Sequence, residues 1–321
     1  MKNKLPIIAL IGFALTACAT PNGSSSSIAP AFTRDSVTIV TPTGAPALAF
    51  YNYAELTNFE TNSNPTNITA MMSAAQKDVI VLPTNVGVKT IETAQAPYKL
   101  AATITFGNFY IASLGNDDNG IMDATDNIVL FQKNNVPDKL FHYIYGTTLD
   151  AGVHYVNAVN EATQALNSGT FIDEETGTTK TAHYVMIAEP AFSTIKANKE
   201  NVTMYANIQD EYKEKSGDLE LFQASIFVKN TLPEAKINGF LTSLKEDVDA
   251  AIDEPTLLSA GMNKVANAQA IFGVAPTMAE NVLRNNNGMG LGFKLAKPNK
   301  EAIDNFLALF NIEETDEEIY F

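Results

Sequence analysis

Cysteine occurs once in the 321 residues and histidine three times, and 21 basic residues face 36 acidic ones. Each shortage closes a class of function. One thiol cannot form an intramolecular disulfide, so the fold carries no covalent staple. His142, His154 and His183 have no partner at metal-ligand spacing and read as ordinary surface or core residues, so no metal and no cofactor is expected. A net charge of −15 excludes nucleic acid as a partner, because neutralising phosphates needs basic patches. The same charge keeps the body of the protein off an anionic membrane surface. Past Leu15 no apolar run approaches the roughly 20 residues that span a bilayer. Nucleophile elbow, Walker loop and dinucleotide fingerprint are missing too. Gly288-Met289-Gly290-Leu291-Gly292 has no strand before it and no helix directly after it, and reads as an ordinary loop.

What is present starts at the N-terminus. Lys2 and Lys4 precede a mostly apolar run, Leu5 to Leu15, with the length of a signal-peptide core. The run ends in Leu15-Thr16-Ala17-Cys18, which resembles the bacterial lipobox. In that motif the cysteine is acylated, with palmitate-type chains, and becomes the first mature residue. Residues 1–17 are thus expected to be a leader, Cys18 the lipid anchor, and residues 18–35, rich in Ser and Gly, a flexible tether. The expected location is extracytoplasmic, on the membrane.

From Ser36 onward the pattern alternates. Val37–Val40, Asp78–Leu82, Leu100–Thr105, Asn127–Phe131, Ala182–Ile187 and Gln223–Lys229 read as buried strands. Helices are expected at Ala47–Tyr53, Asn67–Gln76, Val86–Thr93, Pro137–Tyr145, His154–Asn167 and Ala191–Ala197. The C-terminal part reads as helical over 232–252, 254–265, 275–283 and 299–310. Strand–loop–helix units of this size predict an α/β fold with a mainly parallel sheet, and the length predicts more than one lobe.

Ligands of open α/β sheets sit beyond the carboxyl ends of the strands. Five loops occupy such places: Thr43-Gly44-Ala45-Pro46, Pro83-Thr84-Asn85, Phe106-Gly107-Asn108, Asn134 to Asp138, and Glu189-Pro190. They offer hydroxyl and amide groups and one aromatic, Phe106, suited to stacking on a flat ligand. Lys133 is the one cation among them, which favours a neutral or singly charged compound. The acidic segment Asp117 to Asp126 has part of the pattern of a calcium loop, with Gly120 at its sixth position. Gly115 would stand at its first position without a ligand atom, and Asp126 at its twelfth is shorter than the usual Glu, so it reads as a solvated turn.

These segments resemble, in order, the substrate-binding proteins of ABC transporters with the type II periplasmic-binding fold, in the nitrate/sulfonate/taurine/thiamine-precursor group. Val37–Ala49, Asp78–Val88, Tyr98–Ala112, Gln132–Phe141 and Tyr184–Phe192 carry the likeness. Gln132-Lys133 departs from it where a Gly is usual. The resemblance implies two α/β lobes with a ligand cleft between them. It implies lobe I at 36–112 with 228–321, lobe II at 113–227, and crossings near Phe109–Leu114 and Ala224–Asn230. It further implies a monomer that binds a small organic molecule and presents it to a membrane permease. Thr43, Gly44, Ala45, Pro46, Thr84, Asn85, Phe106 and Asn108 would bind from one lobe, and Asn134, Asn135 and Glu189 from the other, with no catalytic residue. Two alternatives stay open: an enzyme of the pyrimidine-precursor type on the same fold, and a sensory or adhesive lipoprotein.

Overall fold

The computed structural model describes residues 32–115 and 122–321. The leader, Cys18, most of the tether and the Asp117–Gly120 turn lie outside the described residues. Among the described residues there are thirteen strands. In chain order they are β1 (Ile39–Pro42), β2 (Phe59–Asn62), β3 (Val79–Pro83), β4 (Tyr98–Thr105), β5 (Phe109–Ser113), β6 (Asn127–Phe131) and β7 (Gly152–Val156). Then follow β8 (Thr170–Ile172), β9 (Thr179–Thr181), β10 (Tyr184–Ala188), β11 (Thr203–Asn207), β12 (Ala224–Lys229) and β13 (Leu291–Leu295).

Two main sheets result. The first has the order β13-β4-β12-β3-β1-β2 and the second β11-β5-β10-β6-β7, with β8-β9 a small hairpin beside it. In the first sheet β1 is parallel to β2 and β3, while β12 is antiparallel to both β3 and β4. In the second sheet β6, β7 and β10 run together and β5 runs against β10. Runs such as Val79-Ile80-Val81-Leu82 are fully buried, as strands covered by helices on both faces must be. Helix starts follow capping chemistry. Asn64 accepts the N–H of Thr66 ahead of the helix Pro65–Ser73, and Asn207 accepts that of Gln209 ahead of Ile208–Ser216.

The two-lobed α/β architecture is therefore present. Its boundaries differ from the expected 112/113 and 227/228. β5 pairs with β10 and β11, so residues 109–112 belong to the second lobe. β12 pairs with β3 and β4, so residues 224–227 belong to the first. The chain crosses at Phe106–Asn108 and at 217–223. The reason is local: both apolar segments assigned to crossings are full buried strands, and the short non-strand stretches beside them carry the chain between lobes.

Other expectations change as well. His154 lies in β7, and the helix begins at Val159, because Tyr155 and Val156 pair with β6. The expected helix Ala47–Tyr53 is split into Ala45–Leu48 and a single turn at Tyr51–Tyr53. The Gly288–Gly292 loop runs straight into β13. Among the described residues no helix is long and apolar enough to cross a membrane.

Candidate binding cleft

Strand direction brings two edges together. The C-terminal ends of β1, β3 and β4 leave the first sheet on one edge. Those of β6 and β10 leave the second sheet on the edge where β5 begins. The five loops expected from the sequence all lie on these two edges.

On the first edge, the Thr84 hydroxyl is engaged internally. It bonds the carbonyl of Phe222 and lies 2.7 Å from Ser225 Oγ, which lies 2.7 Å from Thr103 Oγ1. This buried hydroxyl chain fixes the start of the helix Thr84–Ala94 against β12 and β4. Its neighbour Asn85 is 8% exposed, and its Oδ1 has no partner. Thr105 Oγ1 and Gln223 Oε1 are in the same state. The three residues are neighbours: Gln223 N–H donates to Thr105 O at 3.0 Å, and Thr84 N–H to Gln223 O at 3.1 Å. Buried polar atoms without partners are uncommon, and three of the seven among the described residues lie at this sheet edge. Thr43–Pro46 follows β1 beside the turn at Gly273.

The crossings are stapled by Asn108. Its Nδ2 donates to Glu189 O at 3.2 Å, its Oδ1 accepts from Gln223 Nε2 at 3.1 Å, and its own carbonyl accepts the N–H of Glu189 at 2.9 Å. Asn108 thus joins both crossings to the loop after β10. Gly107 has φ 109°, a backbone conformation that a residue with a Cβ adopts only under strain. Phe106 packs edge-on against Phe222 with Lys294 above its ring. It lines a side cavity of about 330 Å³ with Gln209 and Asn287.

Between the lobes lies a cavity of about 1110 Å³. The second lobe contributes Tyr110, Glu189, Phe192 and Lys196, and the first contributes Asn281 and Arg284. Tyr110 stacks on Phe192 at 5.2 Å, and Lys196 sits over the far face of that pair, 5.5 Å from the Phe192 ring centre. The Tyr110 hydroxyl donates to Gly288 O at 3.2 Å, a direct bond between the lobes. Glu189 is buried and accepts Ser193 N–H at 3.0 Å and Ser193 Oγ–H at 2.6 Å. Burial pushes its carboxyl above the usual range, against the pull of Ser193 and Lys196. Lys196 and Arg284 add two cations that loop-by-loop reading of the sequence did not place here.

Asn134 and Asn135 sit farther along the second edge. Gln132 and Asn134 both have positive φ, 57° and 67°. The loop is held by Asp138, which accepts Asn134 N–H at 2.7 Å and the Tyr155 hydroxyl at 2.8 Å. Asn135 lines a cavity of about 610 Å³ with Tyr155 and Asn157. Of the predicted residues, Asn108 and Glu189 are joined by hydrogen bonds at the hinge. Thr84 serves the sheet, Phe106 lies on a flank, and Asn134 and Asn135 front a separate hollow. Sequence reasoning missed Thr105, Tyr110, Gln223 and Arg284. Thr105 ends the expected strand Leu100–Thr105 and Gln223 begins the expected strand Gln223–Lys229, and those terminal positions were the available signal.

Asp126, from the acidic segment, accepts Asp123 N–H at 2.8 Å. Among the described residues no group of three or more His, Cys, Asp or Glu could hold a metal ion.

The sequence matches no known family profile and no curated protein. Solved structures do match. An ABC transporter protein from Parabacteroides distasonis aligns with TM-score 0.66 at 17% identity, covering 86% of this chain and 91% of its own. The periplasmic aliphatic sulphonate binding protein SsuA from Escherichia coli aligns with TM-score 0.62 at 10% identity, covering 88% and 91%. A Candida albicans protein described as having the generic periplasmic binding protein fold aligns with TM-score 0.50 at 7% identity, covering 88% and 92%. At these identities the shared property is the fold, and the fold is the periplasmic-binding one.

Proposed function

We propose that this chain is the solute-binding component of an ABC importer, exported, anchored through Cys18 and acting as a monomer. The observation that carries the reading is the cavity of about 1110 Å³ walled by residues of both lobes. A cleft so placed changes shape when the lobes rotate, so a ligand touching both walls favours closure. The volume slightly exceeds the about 300–1,000 Å³ of small-molecule sites, as a cleft not yet closed would. The fold is shared with an ABC transporter protein and a sulphonate-binding protein, which supports the same reading.

Asn85, Thr105 and Gln223 supply unpartnered acceptors at the edge of the first lobe. Thr43–Pro46 borders the same lobe, and Asn134, Asn135 and Glu189 belong to the second. Stacked Tyr110–Phe192 offers an apolar wall, and Lys196 and Arg284 stand against Glu189 and Asp210 in the same lining. The ligand is then a small organic molecule with an apolar or aromatic part for the paired rings and little net negative charge. The closed form would be the one a permease reads.

A thermal-shift screen over vitamins, pyrimidines, sulfonates and amino acids tests this. A ligand at 100 times its Kd adds about 2.7 kcal/mol. X-ray scattering on the same hit should show a smaller radius of gyration. Binding without compaction would remove the hinge mechanism, and turnover of the hit would favour an enzyme.

A further inference from the structure

A second cavity, of about 720 Å³, opens on the first lobe far from the cleft. It is bounded by β4, β12, β13 and the long helix Glu234–Asp253. Lys99 marks its position along β4, six residues from Thr105 at the cleft edge, or about 20 Å at strand rise. The wall is apolar: Ala101, Val228, Ile237, Leu241, Phe293 and Leu295 line it. Leu295 is 46% exposed and extends this apolar lining to the surface. The rim has the opposite character. Lys99, Lys245 and Lys297 stand on it against one acidic side chain, Glu234. In a chain of net charge −15 this is a local reversal of sign. Lys245 pairs with Asp249, but neither Lys99 nor Lys297 has an ion-pair partner among the described residues.

An apolar trough with two unpaired lysines at its mouth complements a hydrocarbon chain ending in a single anionic head, of which a carboxylate is the smallest. We infer that this cavity is a binding site for a single-chain anionic amphiphile, a long-chain carboxylate, held by its chain against Ile237, Leu241 and Phe293 and by its head at Lys99 and Lys297. The volume falls within the range of small-molecule sites. Each buried methylene is worth about 0.8 kcal/mol, so the chain supplies affinity and the lysines select the head group. The site is independent of the cleft and of the importer reading.

The chain has no tryptophan, so Leu295→Trp places a single indole on the rim. Dibrominated stearate, titrated into this variant without detergent, should quench the indole saturably. Lys99→Glu with Lys297→Glu should weaken that quenching at least tenfold. A brominated alkyltrimethylammonium of equal chain length should not saturate. In the unsubstituted protein, dodecanoate should raise the melting temperature, which checks the site without any substitution. No saturable quenching, equal binding after charge reversal, equal binding of the ammonium probe, or no stabilisation by dodecanoate would each overturn the assignment.

Discussion

Gly87→Ala is expected to destabilise the protein although it raises helix propensity. Gly87 lies in the helix Thr84–Ala94, which holds Asn85 at the carboxyl edge of the first sheet, and it rests on Phe227 of β12. A Cβ at position 87 would lie 2.1 Å from Phe227 Cζ, 2.2 Å from Cε2 and 2.7 Å from Cε1. The ring is 0% exposed, so it has nowhere to swing. Alanine gains about 1 kcal/mol over glycine in a helix interior. Overpacking a buried site costs about 1–3 kcal/mol, and contact with a whole ring edge belongs at the upper end. The net is a loss of about 1–2 kcal/mol, or roughly half a molar in a urea midpoint. Phe227→Leu in the same chain frees the space. The double variant should therefore be more stable than the sum of the singles by at least about 1 kcal/mol. A neutral or stabilising Gly87→Ala, or strict additivity, would refute the close-contact argument. Because Asn85 rides on the same helix, Gly87→Ala should also weaken ligand binding, and Phe227→Leu should restore part of it.

Asn85→Ala should separate stability from binding: removing a buried unpartnered acceptor stabilises the free protein by about 1–3 kcal/mol while ligand affinity, read by calorimetry, falls about tenfold. Asp173 is held well below the usual carboxylate range, first by its hydrogen bonds from Lys180 and Thr176 and then by the charges of Lys180 and His154. Its contribution is present above the unfolded carboxylate range, near pH 4, and is lost as pH falls below it, so the deficit of Asp173→Asn in thermal melts should be large at pH 7 and shrink toward pH 3. Glu189 is shifted the other way by burial, so its stabilising protonated form is full below the ordinary Glu range and is lost as pH rises through the raised pKa; Glu189→Gln should melt higher than the parent at pH 7 and equal to it near pH 4. Asp247→Asn weakens the two bonds from Arg34, 2.7 and 2.9 Å, that tie the N-terminal segment to the long helix, and should cost about 1.5–3 kcal/mol and speed proteolytic cleavage near Phe32.

The sheets were legible because Val79–Leu82 and Asn127–Phe131 are runs of buried β-branched and aliphatic residues, which no helix face would need. β2 was missed because Phe-Glu-Thr-Asn is an edge strand with one buried residue, and β11 because its pairing shifts between Met204 and Ala206. β7 was read as helix because one polar–apolar alternation runs into the following helix without a clear cap. At the cleft, strand-end loops could be read from order alone. The roles within them could not: Thr84 and Asn85 are adjacent, yet one hydroxyl is consumed by Ser225 and Phe222 while one amide oxygen is left free. Arg284 and Tyr110 come together only through tertiary packing, across 174 positions of chain that carry no periodic signal.

β12 sits between β3 and β4 in the first sheet, yet it is synthesised only after the whole second lobe. A chain that stops at residue 223 has a missing slat in the middle of that sheet, with the facing edges of β3 and β4 both unpaired. The first lobe therefore cannot close as it is made, whereas the second, uninterrupted from β5 to β11, can. A nascent chain with this connectivity keeps the middle of its first sheet open until the second lobe is complete.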